Sequence, residues 1–133
     1  MKQRVGGSCH CGRVRFSCQV ELSAPTFRCN CSICSKARYW LAPVPAADFQ
    51  LLEGETELAD YRFGSGAIHH RFCRTCGIKT FGEGDHPAFG GRFFGVSVAC
   101  LELAPELLAK LPVVFSDGRH DAQQRAPAVT SYL

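Results

Sequence analysis

No apolar run in this chain of 133 residues approaches the roughly twenty residues that a membrane-spanning helix needs. The opening residues, Met1-Lys2-Gln3-Arg4-Val5-Gly6-Gly7, hold no apolar stretch of the secretory kind. A cytoplasmic protein is therefore expected, with thiols kept reduced. Strong charge of one sign is also missing. Fifteen basic residues against twelve acidic ones leave a dispersed net +3, so a nucleic-acid surface is not expected. Arg71-Phe72 and Arg92-Phe93-Phe94, where basic and aromatic residues interleave, are thin support for one. Helical periodicity is scarce, and neither an internal repeat nor an interdomain linker stands out. One domain, residues 1–133, is the simplest organisation, large enough for a core without disulfide staples.

What the chain does carry is a period of two. Val14, Phe16, Cys18 and Val20 alternate with Arg15, Ser17 and Gln19, the pattern of a strand with one buried face. Further strands are predicted over Asp48–Leu52, Glu57–Phe63, Ala67–Phe72 and Arg92–Leu101. In the last, Phe94, Val96, Val98 and Cys100 share a face, so Cys100, like Cys18, is expected in the core. His69 and His70 fall on opposite faces of their strand, one buried and one exposed. The glycine-rich run from Gly82 to Gly91 reads as a loop, either a mobile lid or a solvated connection. One short helix is predicted after Ala104, with Pro105 at its first position and Leu107, Leu108 and Leu111 before Pro112. A turn or two of helix follows Cys34. The fold class is mainly β, with few short helices.

Cysteine is abundant, and its distribution is the strongest signal. There are nine, an odd number, so disulfides cannot pair them all. Seven lie in three clusters: Cys9 and Cys11; Cys29, Cys31 and Cys34; Cys73 and Cys76. Structural zinc takes four protein ligands, whereas catalytic zinc takes three and keeps one position open. The first and third clusters share a cysteine-then-glycine ending, Cys11-Gly12 and Cys76-Gly77, and together supply four thiolates. A metal held between them would close a loop of about sixty residues, which removes much unfolded-chain entropy. The middle cluster supplies three thiols and leaves a vacancy. His69, His70, His86, His120, Glu83 and Asp85 are the candidates to fill it, and filling it would make that site structural too. Two zinc ions so bound would cancel the net charge. Arg13, Arg28, Lys36, Arg38, Arg71, Arg74 and Lys79, all near a cluster, could offset thiolate charge. The Cys31–Cys34 spacing also suits a reversible disulfide, although no βαβ pattern surrounds it.

Three segments carry a resemblance. Gly7-Ser8-Cys9-His10-Cys11-Gly12-Arg13-Val14-Arg15-Phe16, Cys29-Asn30-Cys31-Ser32-Ile33-Cys34-Ser35-Lys36 and Phe72-Cys73-Arg74-Thr75-Cys76-Gly77 resemble the glutathione-dependent formaldehyde-activating enzyme family, which includes centromere protein V. Phe49, Leu51, Gly54 and Tyr61 fit the same pattern, so the resemblance covers about Gly6 to Val98. It implies a zinc-bearing β-tent fold similar to the Rab-interacting zinc chaperones. By the family pattern, Cys9, Cys11, Cys73 and Cys76 hold a structural zinc, and Cys29, Cys31 and Cys34 hold a catalytic one. The stretch Val113–Leu133, with Ser116-Asp117-Gly118-Arg119, departs from the pattern and lacks a tryptophan found in many members.

The activity implied is that of a zinc-dependent carbon–sulfur lyase acting on aldehyde–thiol adducts, as in S-hydroxymethylglutathione synthesis. Its partners would be a small-molecule thiol such as glutathione and an aldehyde such as formaldehyde. Arg38 or Lys79 would meet substrate carboxylates. A non-catalytic, zinc-stabilised binding or chaperone module is the alternative, and a saturated second zinc would distinguish it.

Overall fold

The computed structural model describes residues 1–133. In chain order the elements are β1 (Lys2–Ser8), β2 (Arg15–Glu21), β3 (Thr26–Cys29), α1 (Ser32–Ala37), β4 (Trp40–Pro45), β5 (Phe49–Glu53), β6 (Leu58–Tyr61), β7 (His69–Cys73), β8 (Lys79–His86), β9 (Gly91–Ser97), α2 (Pro105–Leu108) and β10 (Val113–Ser116). They form a three-stranded sheet, β1-β2-β5, and a seven-stranded sheet, β10-β3-β4-β9-β8-β7-β6. All pairings are antiparallel except β10 with β3. The mainly β class with two short helices is as expected.

Alternation places the core between the sheets. Val14, Phe16, Cys18 and Val20 are buried, and Ser17 on the other face is covered by Arg4, whose Nη1 donates to its Oγ at 3.0 Å. Phe16 of β2, Phe49 of β5, Phe81 of β8 and Phe94 of β9 join the two layers through their rings. Phe49 stacks on Phe94 with centroids 4.0 Å apart, and Phe16 lies 5.5 Å from Phe49. Such contacts contribute beyond the area they bury.

The structure departs from the sequence reading in several places. Gly82–His86 is not loop but the second half of β8, paired with β9 as far as His86↔Gly91. Glycine there makes room: a Cβ at Gly84 would meet the Phe93 ring at 3.0 Å. The last predicted strand ends at Ser97 and tightens into a 3₁₀ turn over Val98–Cys100. That turn breaks the alternation, so Cys100 is only partly buried, beside the core rather than within it. Four further strands, β1, β3, β4 and β10, fall outside those that alternation predicts. In β4, Pro43 and Pro45 argue against a strand, but β3 pairs only with Trp40 and Leu41. Beyond Leu41 that edge has no ladder partner, and a missing donor is tolerated.

Candidate functional site

The first and third cysteine clusters converge. Cys9 and Cys11 lie in the connection after β1, Cys73 ends β7, and Cys76 follows in the turn before β8. Their four sulfurs all lie within 4.8 Å of one another, with Cys9–Cys11 at 3.6 Å and Cys11–Cys73 at 3.7 Å. Two sulfurs on one tetrahedral zinc sit about 3.8 Å apart. These residues therefore fit a four-thiolate metal ion. Backbone N–H groups prepare them for it. The N–H of Arg13 holds the Cys11 thiol below its ordinary value, and that of Cys11 helps lower Cys76 to about 6. Burial pushes Cys73 up to about 11. Gly77, at φ +79°, turns the chain behind Cys76, and its N–H returns to the Cys73 carbonyl at 2.7 Å.

The middle cluster sits at the other side of the seven-stranded sheet. β3 delivers Cys29, Cys31 precedes α1, and Cys34 lies within it. The structure does not draw these three into a set as tight as the four-sulfur group. They are nevertheless coupled: Cys31 N–H donates to Cys29 Sγ at 3.4 Å, and the thiols share hydrogen bonds. Hydrogen bonds from Cys29 and Cys34 pull Cys31 far down, while the same contacts raise Cys34. Three soft donors of which one readily ionises are a donor set suited to zinc.

Most of the proposed fourth ligands hold other partners. His69 Nδ1 meets Asp60 at 2.8 Å, and His86 Nδ1 accepts from the Ala88 N–H at 3.0 Å. His120 Nδ1 meets Asp117 at 2.9 Å. Glu83 receives Arg71 at 2.9 Å and Arg92 at 3.0 Å, while Asp85 is exposed near the end of β8. His70, buried, accepts at Nδ1 from Lys79 Nζ at 2.8 Å. His70 is thus buried, as expected of one of the pair, while His69 is only partly exposed.

A cavity of about 460 Å³ lies between the two thiol groups, with walls that include Cys9 and His10 on one side and Ala37, Arg38, Tyr39 and Lys79 on the other, and none of the three middle cysteines lines it. It abuts α1 directly, since the Tyr39 N–H donates to the Cys34 carbonyl at 3.0 Å. Lys79 Nζ rests over the Tyr39 ring, 4.0 Å from its centroid, and burial lowers its pKa while Cys34 and Cys31 raise it. The Tyr39 hydroxyl donates to the Gly95 carbonyl at 2.6 Å, which fixes the platform under the lysine. Both Arg38 and Lys79, singled out from the sequence, line this space. His10, assigned no role there, lines it too, and nothing in its spacing pointed to that.

Sequence reasoning missed the residues that anchor the middle cluster. Asn30, between Cys29 and Cys31, donates from Nδ2 to Asp117 Oδ1 at 2.9 Å and accepts from the Arg119 N–H at 2.9 Å. Its own N–H donates to the Ser116 carbonyl at 3.2 Å. Both side chains are buried. The hydrogen bond from Asn30 keeps Asp117 below the usual carboxylate range. Only the reversal of polarity inside a cysteine cluster, Cys-Asn-Cys, could have drawn attention to it.

A protein from Rhodobacter sphaeroides of known crystal structure is similar to this chain at 35% identity and a TM-score of 0.66. The similarity covers 82% of this chain and 99% of the other. Residues 4–114 match the family described as glutathione-dependent formaldehyde-activating enzyme. With that match spanning both thiol clusters and nearly every strand, the chain belongs to the glutathione-dependent formaldehyde-activating enzyme family.

Proposed function

We propose that the protein is a zinc-dependent carbon–sulfur lyase that makes and breaks adducts between a small anionic thiol and an aldehyde. The observation that carries this reading is a cavity that presents Arg38 and Lys79 at the end of α1, the helix that holds Cys34. Cys9, Cys11, Cys73 and Cys76 would hold one zinc in a structural role, and Cys29, Cys31 and Cys34 a second. Zinc at the middle cluster would supply the charge that deprotonates a substrate thiol near neutral pH.

The chain's own groups bind and orient. Arg38 and Lys79 offer positive charge to the carboxylates of a thiol such as glutathione. Lys79 is half-sheltered, so its attraction is less screened than that of a free surface lysine. The cavity is of the size that small-molecule sites commonly have. In the forward direction the thiol gives up its proton, sulfur bonds to the carbonyl carbon as the C=O π bond breaks, and the oxygen takes a proton. The reverse reaction cleaves the same C–S bond.

Exchange NMR on a mixture of glutathione and formaldehyde tests this. Wild-type protein is expected to speed exchange between free thiol and adduct, and Cys31→Ser to leave the uncatalysed rate. A wild-type protein no faster than Cys31→Ser would favour the binding-module alternative.

A further inference from the structure

Residues 115–133 lie beyond the family match, yet Gly118 and Gln123 among them lie against the middle cluster. From Asp117 to Arg125 the chain forms a loop closed at its base. The Ala122 N–H donates to the Asp117 carbonyl at 2.9 Å, and the Asp117 N–H to the Arg125 carbonyl at 2.8 Å. Asp117 pins this base to Asn30, between two of the thiols. Gly118 leaves no space between loop and cluster. A Cβ there would fall 2.5 Å from Cys29 Sγ, 2.8 Å from Gln123 Nε2 and 3.0 Å from Cys31 Cβ.

This loop carries Gln123 to the thiols. Its Oε1 lies 3.7 Å from Cys29 Sγ. Zinc–sulfur bonds near 2.3 Å and zinc–oxygen bonds near 2.1 Å, at a tetrahedral angle, place the two ligand atoms about 3.6 Å apart. Of the sequence candidates for that position, His69, His86, His120 and Glu83 hold other partners and Asp85 is exposed, while His70, on which the Cys31 charge acts, has its Nδ1 taken by Lys79. Building on the two-metal reading of the function, we propose that Gln123 is the resting fourth donor of the middle cluster, a displaceable one that the substrate thiol must replace. A neutral amide oxygen is a weak ligand for a soft thiolate site, so it shields the metal from bulk thiols and other donors and still gives way. On exchange the thiol proton passes to solvent and the amide swings out with its exposed stem.

The test uses the full chain loaded with cobalt(II), titrated with 2-mercaptoethanol and read by sulfur-to-metal charge-transfer absorption. A Cys31→Ser sample supplies the signal of the four-thiol site alone. Gln123→Ala and Gln123→Asn, both too short to reach, are expected to take up the thiol at concentrations lower on the order of tenfold, as the loss of one competing polar contact predicts. Gln123→Asn keeps the amide and guards against a mere change in loop polarity. Gln123→His, with zinc, is expected to add imidazole outer-shell scattering at the zinc edge and to block thiol uptake. Thiol affinities within twofold of wild type in both shortened variants, or weaker in either, overturn the proposal while leaving the lyase reading intact. A wild-type chain that binds a single metal ion, with the middle cysteines freely titratable, overturns both.

Discussion

Of the four converging thiols, Cys9 and Cys73 are buried and Cys11 is exposed. Val14 packs on the buried pair and donates its N–H to Cys9 Sγ at 3.3 Å. Cys9→Ser should therefore cost folding, while Cys31→Ser, in a half-exposed loop, should leave a folded protein with one metal ion instead of two. Circular dichroism and metal content per chain check both. Single residues were unevenly legible. His70 could be read as buried from its place in an alternating strand. Cys100 could not be placed, because the strand that should carry it stops three residues earlier. Gln123 gave no signal, since its position depends on a loop closed by Asp117 and Arg125 backbone contacts.

Strands set how the layers adhere. Phe16 is 1% exposed, and its ring meets Phe49 within its own sheet and Phe81 across the gap to the other. Phe16→Ala should cost about 3–5 kcal/mol in denaturant unfolding, whereas the more exposed Phe63→Ala should cost less than about 1 kcal/mol. At the other edge, β6 and β7 are tied by charge. Burial pushes the Asp60 carboxyl up, but the hydrogen bond from His69 and the charges of Arg71 and Arg62 outweigh it and hold the pKa low. A depressed carboxyl stabilises the folded state above the unfolded pKa, about 3.9, and that gain is lost as pH falls through the folded value. Asp60→Asn should accordingly melt lower than wild type at pH 6, with the gap closing as pH falls below the ordinary carboxylate range. Strands announced by apolar alternation were legible, β2 above all. β4 hid behind its prolines and β8 behind its glycines, because each depends on what its neighbour does: β3 stopping short, or the Phe93 ring needing room.

At the scale of the whole molecule, the four-thiol group fastens the connection after β1 to the far end of β7, across the boundary between the sheets. Removing metal with a chelator at neutral pH should therefore lower the melting temperature of the entire domain, with both sheets lost in one transition. A transition confined to the middle cluster would show that the clip is dispensable. The mainly β class and this clip were legible because cysteine spacing and alternation are local signals. The anchoring of the middle cluster was not, because Asn30 and Asp117 are eighty-seven residues apart and no periodicity links them.

The parallel pairing of β10 with β3 bears on how the protein is made. The four-thiol group has all its ligands once Cys76 has left the ribosome. The middle cluster has its three thiols by then but lacks its seat: the Ser116 carbonyl, Asp117 and the strand that straightens β3 come roughly forty residues later. At ordinary synthesis rates that is a delay of a few seconds. The two sites are thus completed in a fixed order. The clip that shapes the sheets comes first, and the three middle thiols are enclosed only when the last strand slides in beside them.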